Sequence, residues 1–211
     1  MMRNFRDRVV ILKSINYSEA DKILIVFGKE FGKFSLLAKG MRKLTSKNRG
    51  NMQTLSIADI SFYKGQGMPL LLETKAVVIP DFTILDIDNT RRVLHLVSRL
   101  TGEEQPYPKV FDALVSAIKG GLDDERTNRF RVLLLIEEGL IHDMRQCSIC
   151  GKSIDLDFFQ LSSFVLICKN CYSSKKWPSS DIIGTAHNLY SNSKFVKAMD
   201  SYIDNLLLEL V

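Results

Sequence analysis

Residues 22–38 read Lys-Ile-Leu-Ile-Val-Phe-Gly-Lys-Glu-Phe-Gly-Lys-Phe-Ser-Leu-Leu-Ala, two short apolar runs on either side of a turn that contains glycine. Runs of this length that contain β-branched or aromatic residues and are bounded by a turn are typical of paired strands. We therefore predict strands over residues 22–27 and 34–38, joined as a β-hairpin.

Three further apolar runs flank this hairpin. Residues 8–13, about 55–63 and about 70–79 each have the length and composition of a strand, and residues 39–50 are polar and basic. Five short strands with no helical periodicity between them favour a small barrel, because a closed sheet has no exposed edge. The sequence predicts a five-stranded OB-type β-barrel over residues 1–80.

The pattern becomes helical after Pro80. Apolar residues recur at helical spacing over residues 85–100 and 108–119, from Asp123 or Asp124 to Gly139, from Ser179 or Ser180 to about residue 190, and from Ser193 onward. The predicted fold class is α+β with two domains. Residues 1–80 form the barrel, and residues 81–211 form an α-helical domain that includes a zinc-finger insertion at 147–171.

Charge is unevenly distributed along the chain. Residues 1–80 hold 14 Lys and Arg against 6 Asp and Glu, whereas residues 81–211 hold 15 against 18. A basic half is a common electrostatic feature of nucleic-acid-binding proteins, and an acidic half suits a different partner. A basic surface that is simply solvated is the plainer interpretation.

The densest basic stretch contains no acidic residue between Glu30 and Asp59. Cations on a loop beside a barrel can follow phosphates by counterion release without reading base sequence. The candidate nucleic-acid contacts are Lys33, Lys39, Arg42, Lys43, Lys47 and Arg49.

All four cysteines lie in two C-x-x-C pairs, Cys147 with Cys150 and Cys168 with Cys171. Two such pairs 17 residues apart match the spacing of a four-thiolate zinc site, in which four protein ligands leave no open position for catalysis. Reduced core cysteines and redox-active pairs are the alternatives. We predict one structural zinc ion.

Sequence signatures of other protein classes are missing. The three histidines lie outside H-x-E and H-E-x-x-H motifs, no G-x-S-x-G occurs, and residues 28–33 lack the spacing of a phosphate-binding loop. No apolar run is long enough to span a membrane, and the N-terminus does not read as a signal peptide. We expect a cytosolic protein that is not an enzyme.

Four segments together resemble the bacterial DNA repair protein family RecO. They are Tyr17-Ser-Glu-Ala-Asp21, Gly32 to Ser46 with its A-K-G-M-R-K element at 38–43, Tyr63-Lys-Gly-Gln-Gly67, and Cys147-Ser-Ile-Cys-Gly151. The resemblance extends over most of residues 17–67 and 139–171, in the same order and spacing. The chain departs from the family at Phe164 and Val165, where a Gly-Gly pair is common, so its cysteine loop must turn differently.

The resemblance implies a cytoplasmic, nucleoid-associated protein that binds single- and double-stranded DNA. It further implies annealing of strands coated by single-strand-binding protein, a complex with RecR, and help in loading the RecA recombinase. Lys39, Arg42 and Lys43 correspond to the family's basic element. Arg126, Arg129 and Arg131 are the candidate partners for the carboxylate of the single-strand-binding protein's tail, with pairing to neighbouring acids as the alternative.

Two other functional classes stay open on the residues alone. One is an RNA-binding or translation-associated protein with a zinc ribbon on an OB barrel. The other is an enzyme with a metal-activated water, which needs an open metal position that four thiolate ligands would remove.

Overall fold

The structure, a computed structural model, describes residues 3–46, 52–83, 85–185 and 189–209. The chain divides into two compact units, Met1–Asp123 and Asp124–Val211. Strands give way to helices after Pro80, as the sequence predicts. The assignment of residues 1–80 and 81–211 to separate domains stays a prediction, because the first compact unit also includes two helices.

Five strands make up the sheet of the first unit: β1 Arg3–Asn16, β2 Lys22–Gly28, β3 Gly32–Ala38, β4 Ile57–Lys64 and β5 Leu70–Val78. The strand order is β1-β2-β3-β5-β4, and β4 pairs back to β1, so the ring of strand pairings is closed. All pairs are antiparallel except β3 with β5, which meet in parallel at Leu37 and Leu70. The predicted hairpin of β2 and β3 is confirmed.

Strand β1 is longer than the predicted run of residues 8–13 because two neighbours share it. Its first half pairs with β4 from Arg3 opposite Lys64, and its second half pairs with β2 as far as Asn16 opposite Lys22. A register shift between Ile11 and Lys13 bends the strand from one neighbour to the other. Polar residues at both ends of β1 hide these extensions in the sequence.

The core of the sheet is built from residues that alternate along each strand. Side chains at every second position face the interior, as expected for pleated strands. The buried members of this cluster are Val9, Ile11, Leu24, Val26, Phe34, Leu36, Ala38, Met41, Met52, Ala58, Ile60 and Phe62.

Two helices complete the first unit, α1 Ile87–Leu100 and α2 Pro108–Lys119. Asp86 caps α1 by accepting a hydrogen bond of 2.7 Å from the backbone N–H of Asn89, and Pro108 stands in the first turn of α2. Both helices match the predicted ranges within two residues.

The second unit begins with α3 Asp124–Glu137, as predicted, and ends with α5 Ser193–Glu209. Between them lie a three-stranded sheet of β6 Phe158–Gln160, β7 Val165–Ile167 and β8 Ile182–Gly184, the short helix α4 Lys169–Ser173, and the 3-10 helix Leu189–Ser191. The α+β class is therefore correct.

The helix predicted from Ser179 or Ser180 to residue 190 is wrong. Residues 182–184 form strand β8, which pairs with β6. Asp181 fixes the entry into that strand, because its carboxylate accepts hydrogen bonds from the Gln160 amide and from both the N–H and the hydroxyl of Ser162, each 2.8 Å long. The buried, β-branched side chain of Ile183 also suits a strand better than a helix.

Candidate nucleic-acid interface and metal site

The turn between β1 and β2 is hydrogen-bonded to the basic segment that follows β3. The N–H of Gly40 donates to the Asp21 carboxylate at 2.8 Å, and the N–H of Arg42 donates to the Ala20 carbonyl at 2.8 Å. The Arg42 guanidinium also donates to the Ser18 carbonyl. Residues 17–21 and 39–46 therefore form one surface at this end of the sheet, which we call the basic end.

Three of the six predicted cations lie together at the basic end. Lys39, Arg42 and Lys43 are exposed and belong to the same short segment. Gly40 makes the tight turn between them, with φ of 67°. The three cations are thus exposed on one segment, and their contact with nucleic acid stays a prediction.

Lys33, a fourth predicted cation, does not join this group. Lys33 is only 9% exposed, and its Nζ donates to the Ser98 carbonyl at 2.7 Å and lies 3.6 Å from the Glu103 carboxylate. These contacts hold the Lys33 ammonium group within the first unit, so Lys33 is not part of the candidate interface. Lys47 and Arg49 lie outside the described residues.

One end of the outer face of β2 and β3, at Phe27 and Lys33, is covered within the first unit. The ring of Phe27, which is fully buried, lies 6.3 Å from that of Tyr107 and 6.1 Å from that of Phe111. OB-type barrels bind oligonucleotides on this strand face and on the loops at its end. The covered end lies beside the β2–β3 turn, so the loops of the basic end, at the opposite end of these strands, carry the candidate interface.

One aromatic side chain at the basic end was missed by sequence reasoning. Tyr17 begins the β1–β2 turn and is 64% exposed. Phe34 and Phe62 are buried in the sheet core, with ring centroids 5.1 Å apart, so they are not free to stack on bases. The signal that singles out Tyr17 is its place in a turn, outside the alternating pattern of the strands.

The four cysteines of the second unit converge. Their Sγ atoms all lie within 4.8 Å of one another, and the Sγ atoms of Cys150 and Cys168 are 3.7 Å apart. A tetrahedral zinc ion with Zn–S bonds of about 2.3 Å holds its sulfur atoms about 3.8 Å apart. The arrangement fits a metal ion with four thiolate ligands.

Local backbone geometry positions these ligands. The N–H of Gly151 donates to the Cys147 carbonyl at 2.9 Å, and Gly151 has φ of 72°, which closes the first knuckle. Cys168 follows β7 and directly precedes α4. The N–H of Tyr172 in that helix donates to the Cys168 carbonyl at 2.9 Å. Phe164 has φ of 51° in the β6–β7 turn, so a non-glycine residue makes a left-handed bend there.

The surroundings of the cysteine cluster shift the pKa values of two of its thiols in opposite directions. Burial by itself opposes ionisation of Cys147, but backbone N–H groups of Cys168, Cys150 and Ile149 stabilise the thiolate and lower its pKa to about 6. Hydrogen bonding with Cys168, together with burial, raises the pKa of Cys171 to about 12. Ionisation of all four thiols at these distances would need a cation among them.

The three arginines predicted to grip a carboxylate have different environments. Arg131 is buried and donates to the Asp200 carboxylate at 2.6 Å and to the Asn128 side chain at 2.9 Å. Arg129 pairs with Glu125 at 2.9 Å and lies 4.7 Å from the ring centre of Tyr190, whereas Arg126 is exposed. Arg131 is thus part of the unit's interior and does not share an open face with the other two.

Among the described residues, no helix has the length and apolar character needed to cross a membrane.

Two family models match this chain, and several known proteins are similar to it. The family model for the recombination protein O N-terminal domain matches residues 2–79, and the model for its C-terminal domain matches residues 91–177. Relatives named DNA repair protein RecO include that of Syntrophomonas wolfei, 27% identical over 79% of this chain and 69% of the relative. That of Listeria monocytogenes is 27% identical over 80% and 69%, and that of Mesoplasma florum is 29% identical over 83% and 70%. The chain belongs to the RecO family of DNA repair proteins.

Proposed function

We propose that this protein is a recombination mediator that binds DNA, anneals complementary strands and helps load a recombinase on single-stranded DNA coated by single-strand-binding protein. The observation that carries the proposal is the basic end, where Lys39, Arg42 and Lys43 stand exposed on a segment hydrogen-bonded to the β1–β2 turn. Phosphates are common to single and double strands, so these cations serve both forms of DNA.

The proposal includes an OB-type assignment of the closed sheet. The strand order β1-β2-β3-β5-β4 and the parallel meeting of β3 with β5 support a five-stranded Greek-key barrel. In such a barrel the β1–β2 loop belongs to the nucleic-acid site, and the segment that carries the exposed cations of this chain is hydrogen-bonded to that loop.

Annealing in this proposal requires no covalent chemistry. Two complementary strands repel each other through their phosphates, and cations that neutralise both strands lower the barrier to their pairing. We propose accordingly that the protein is not an enzyme and acts on chromosomal DNA in the bacterial cytoplasm, in association with the nucleoid.

The cysteine cluster is proposed to hold one structural zinc ion. Cys147, Cys150, Cys168 and Cys171 would supply all four ligands, which leaves no position for a reactive water. When bound, the ion supplies the charge that keeps four thiolates together and so stabilises the second unit.

Protein partners are proposed from family membership. RecR is one, and the C-terminal tail of single-strand-binding protein is the other. For the tail carboxylate we retain Arg126 and Arg129, which are exposed on α3, because a planar guanidinium can bind a carboxylate with two hydrogen bonds. Arg129 would exchange its exposed pair with Glu125 for the tail. Titration of the whole chain with the tail peptide, compared with an Arg126→Ala, Arg129→Ala variant, tests this contact.

Annealing of two complementary oligonucleotides, each coated with single-strand-binding protein, tests the function. The wild-type chain should accelerate pairing, and a Lys39→Gln, Lys43→Gln variant should slow it several-fold. The matched control is Lys109→Gln, Lys119→Gln, which removes the same charge from α2. No acceleration by the wild-type chain, or equal loss in both variants, would overturn the proposal.

A further inference from the structure

We infer that Tyr17 stacks on an unpaired nucleobase and gives the basic end a preference for single-stranded over duplex DNA. The inference rests on the proposed function and deepens it, because cations alone bind the phosphates of either form. It assigns a nucleobase contact to one side chain of the β1–β2 turn.

The hydrogen-bonded turn that contains Tyr17 leaves its side chain exposed. Its N–H donates to the Asp21 carbonyl at 3.1 Å, and the N–H of Asp21 donates to the Ser18 hydroxyl at 3.2 Å. These bonds fix the backbone and leave the side chain 64% exposed. A stacking residue needs this combination of a fixed backbone and an open ring face.

Four phenylalanine rings form a cluster inside the sheet. Phe5, Phe31, Phe34 and Phe62 have neighbouring ring centroids between 5.1 and 6.2 Å apart. Tyr17 takes no part in this cluster, so core packing does not explain it. A single exposed aromatic residue is ordinary on a protein surface, so a binding role for Tyr17 depends on which residues surround it.

Those surroundings are basic and structurally joined to Tyr17. Ser18 and Ala20, in the same turn, accept hydrogen bonds from Arg42, and Asp21 accepts one from Gly40. The Asp21 carboxylate is thereby engaged, which leaves Glu19 as the exposed acid of the turn. Cations that follow a phosphate chain past an open aromatic ring are the two elements of a single-strand site.

The physical basis of the preference is the accessibility of base faces. In a duplex both faces of each base are covered by neighbouring pairs, whereas an unpaired base can leave its stack and lie on a protein ring. Tyr17 should therefore add to the affinity for single strands and leave the affinity for duplexes unchanged.

The test compares two oligomers of equal length and charge, oligothymidylate and an abasic strand with the same phosphates. Wild-type protein should bind the oligomer with bases about tenfold more tightly, the low end of what stacking provides. Tyr17→Ala should lose this ratio and keep its affinity for the abasic strand. Tyr17→Phe, which keeps the ring, should retain the ratio, and so should Leu44→Ala, which removes an exposed side chain without a π face from the same segment.

Three outcomes would overturn the inference. They are equal binding of the two oligomers by wild-type protein, a wild-type ratio in Tyr17→Ala, with or without equal weakening of both oligomers, and a loss of the ratio in Tyr17→Phe as full as in Tyr17→Ala. In each case the proposed function would stand if wild-type protein binds the abasic strand and if replacing Lys39 and Lys43 weakens that binding. Failure of the wild-type chain to bind either oligomer would remove both.

Discussion

Asp7 and Gly28 occupy adjoining space inside the closed sheet. A β-carbon placed on Gly28 would lie 2.1 Å from Oδ2 of Asp7 and 3.2 Å from the Phe34 ring. The Asp7 carboxylate fills that space and accepts hydrogen bonds from the backbone N–H groups of Glu30 at 3.1 Å and Phe31 at 3.1 Å. A buried acid in a sheet core thus fixes the β2–β3 turn, and it can do so because position 28 lacks a side chain.

Gly28→Ala should destabilise the protein by about 1–3 kcal/mol, because the new methyl group forces the carboxylate off its two amide donors. Gly67→Ala is the matched control, since a β-carbon there meets nothing within 4 Å. Urea denaturation of both variants measures the difference. In the double variant Gly28→Ala, Asp7→Ala the two losses of stability should not add. Replacing Asp7 removes the carboxylate with which the new methyl group at position 28 would clash. Simple additivity would contradict this relationship.

Asp7 should also give stability a defined pH dependence. Burial raises its pKa in the folded state, and hydrogen bonds from Glu30 and Phe31 only partly offset this. A carboxyl group whose pKa is raised by folding contributes stability below its unfolded pKa, and that contribution is lost as pH rises through its folded pKa. The free energy of unfolding of Asp7→Asn minus that of the wild type should therefore rise as pH rises from about 3 to 7. A difference that stays constant or falls over this range would show that the assignment is wrong.

The cysteine cluster predicts a measurable metal content. Protein purified without chelator should contain about one zinc ion per chain, and Cys147→Ser should lose it together with part of the thermal stability. Ser148→Ala, one position along the same knuckle, is the control and should keep both. Mass spectrometry for metals and titration of free thiols give the answer; four free thiols with no metal in the wild-type chain would refute the site.

Arg131 should matter for stability more than its neighbours on α3. Its ion pair with Asp200 is 2.6 Å long, and the Arg131 side chain is only 3% exposed. Removing one partner of a buried pair leaves the other uncompensated, so Arg131→Ala should cost about 2–4 kcal/mol, allowing for the partial exposure of Asp200. Arg129→Ala, whose pair with Glu125 is exposed, should cost less than about 1 kcal/mol. Similar losses in both variants would contradict this distinction.

Local patterns predicted the hairpin of β2 and β3, the helices α1, α2, α3 and α5, and the convergence of the cysteines, because each depends on residues close in sequence or on fixed ligand spacing. Long-range contacts decided the rest. Lys33 reads as one more cation of a basic stretch, yet it is committed to Ser98 and Glu103, which are 65 and more residues away. Residues 182–184 form a strand only because β6 is there to pair with them. Tyr17 gains its significance from hydrogen bonds between two separate loops.

The dependence of single-stranded DNA affinity on salt tests the central claim most directly, namely that the basic end binds phosphates. Lys39→Gln, Lys43→Gln removes two charges while keeping the hydrogen bonds that Arg42 makes to the turn. For this variant the slope of log K against log salt should become shallower by about 1.4, or about 0.7 for each lost phosphate contact with a single strand. The control Lys109→Gln, Lys119→Gln should keep the wild-type slope. An unchanged slope in the Lys39, Lys43 variant would contradict the account and place the DNA on another surface.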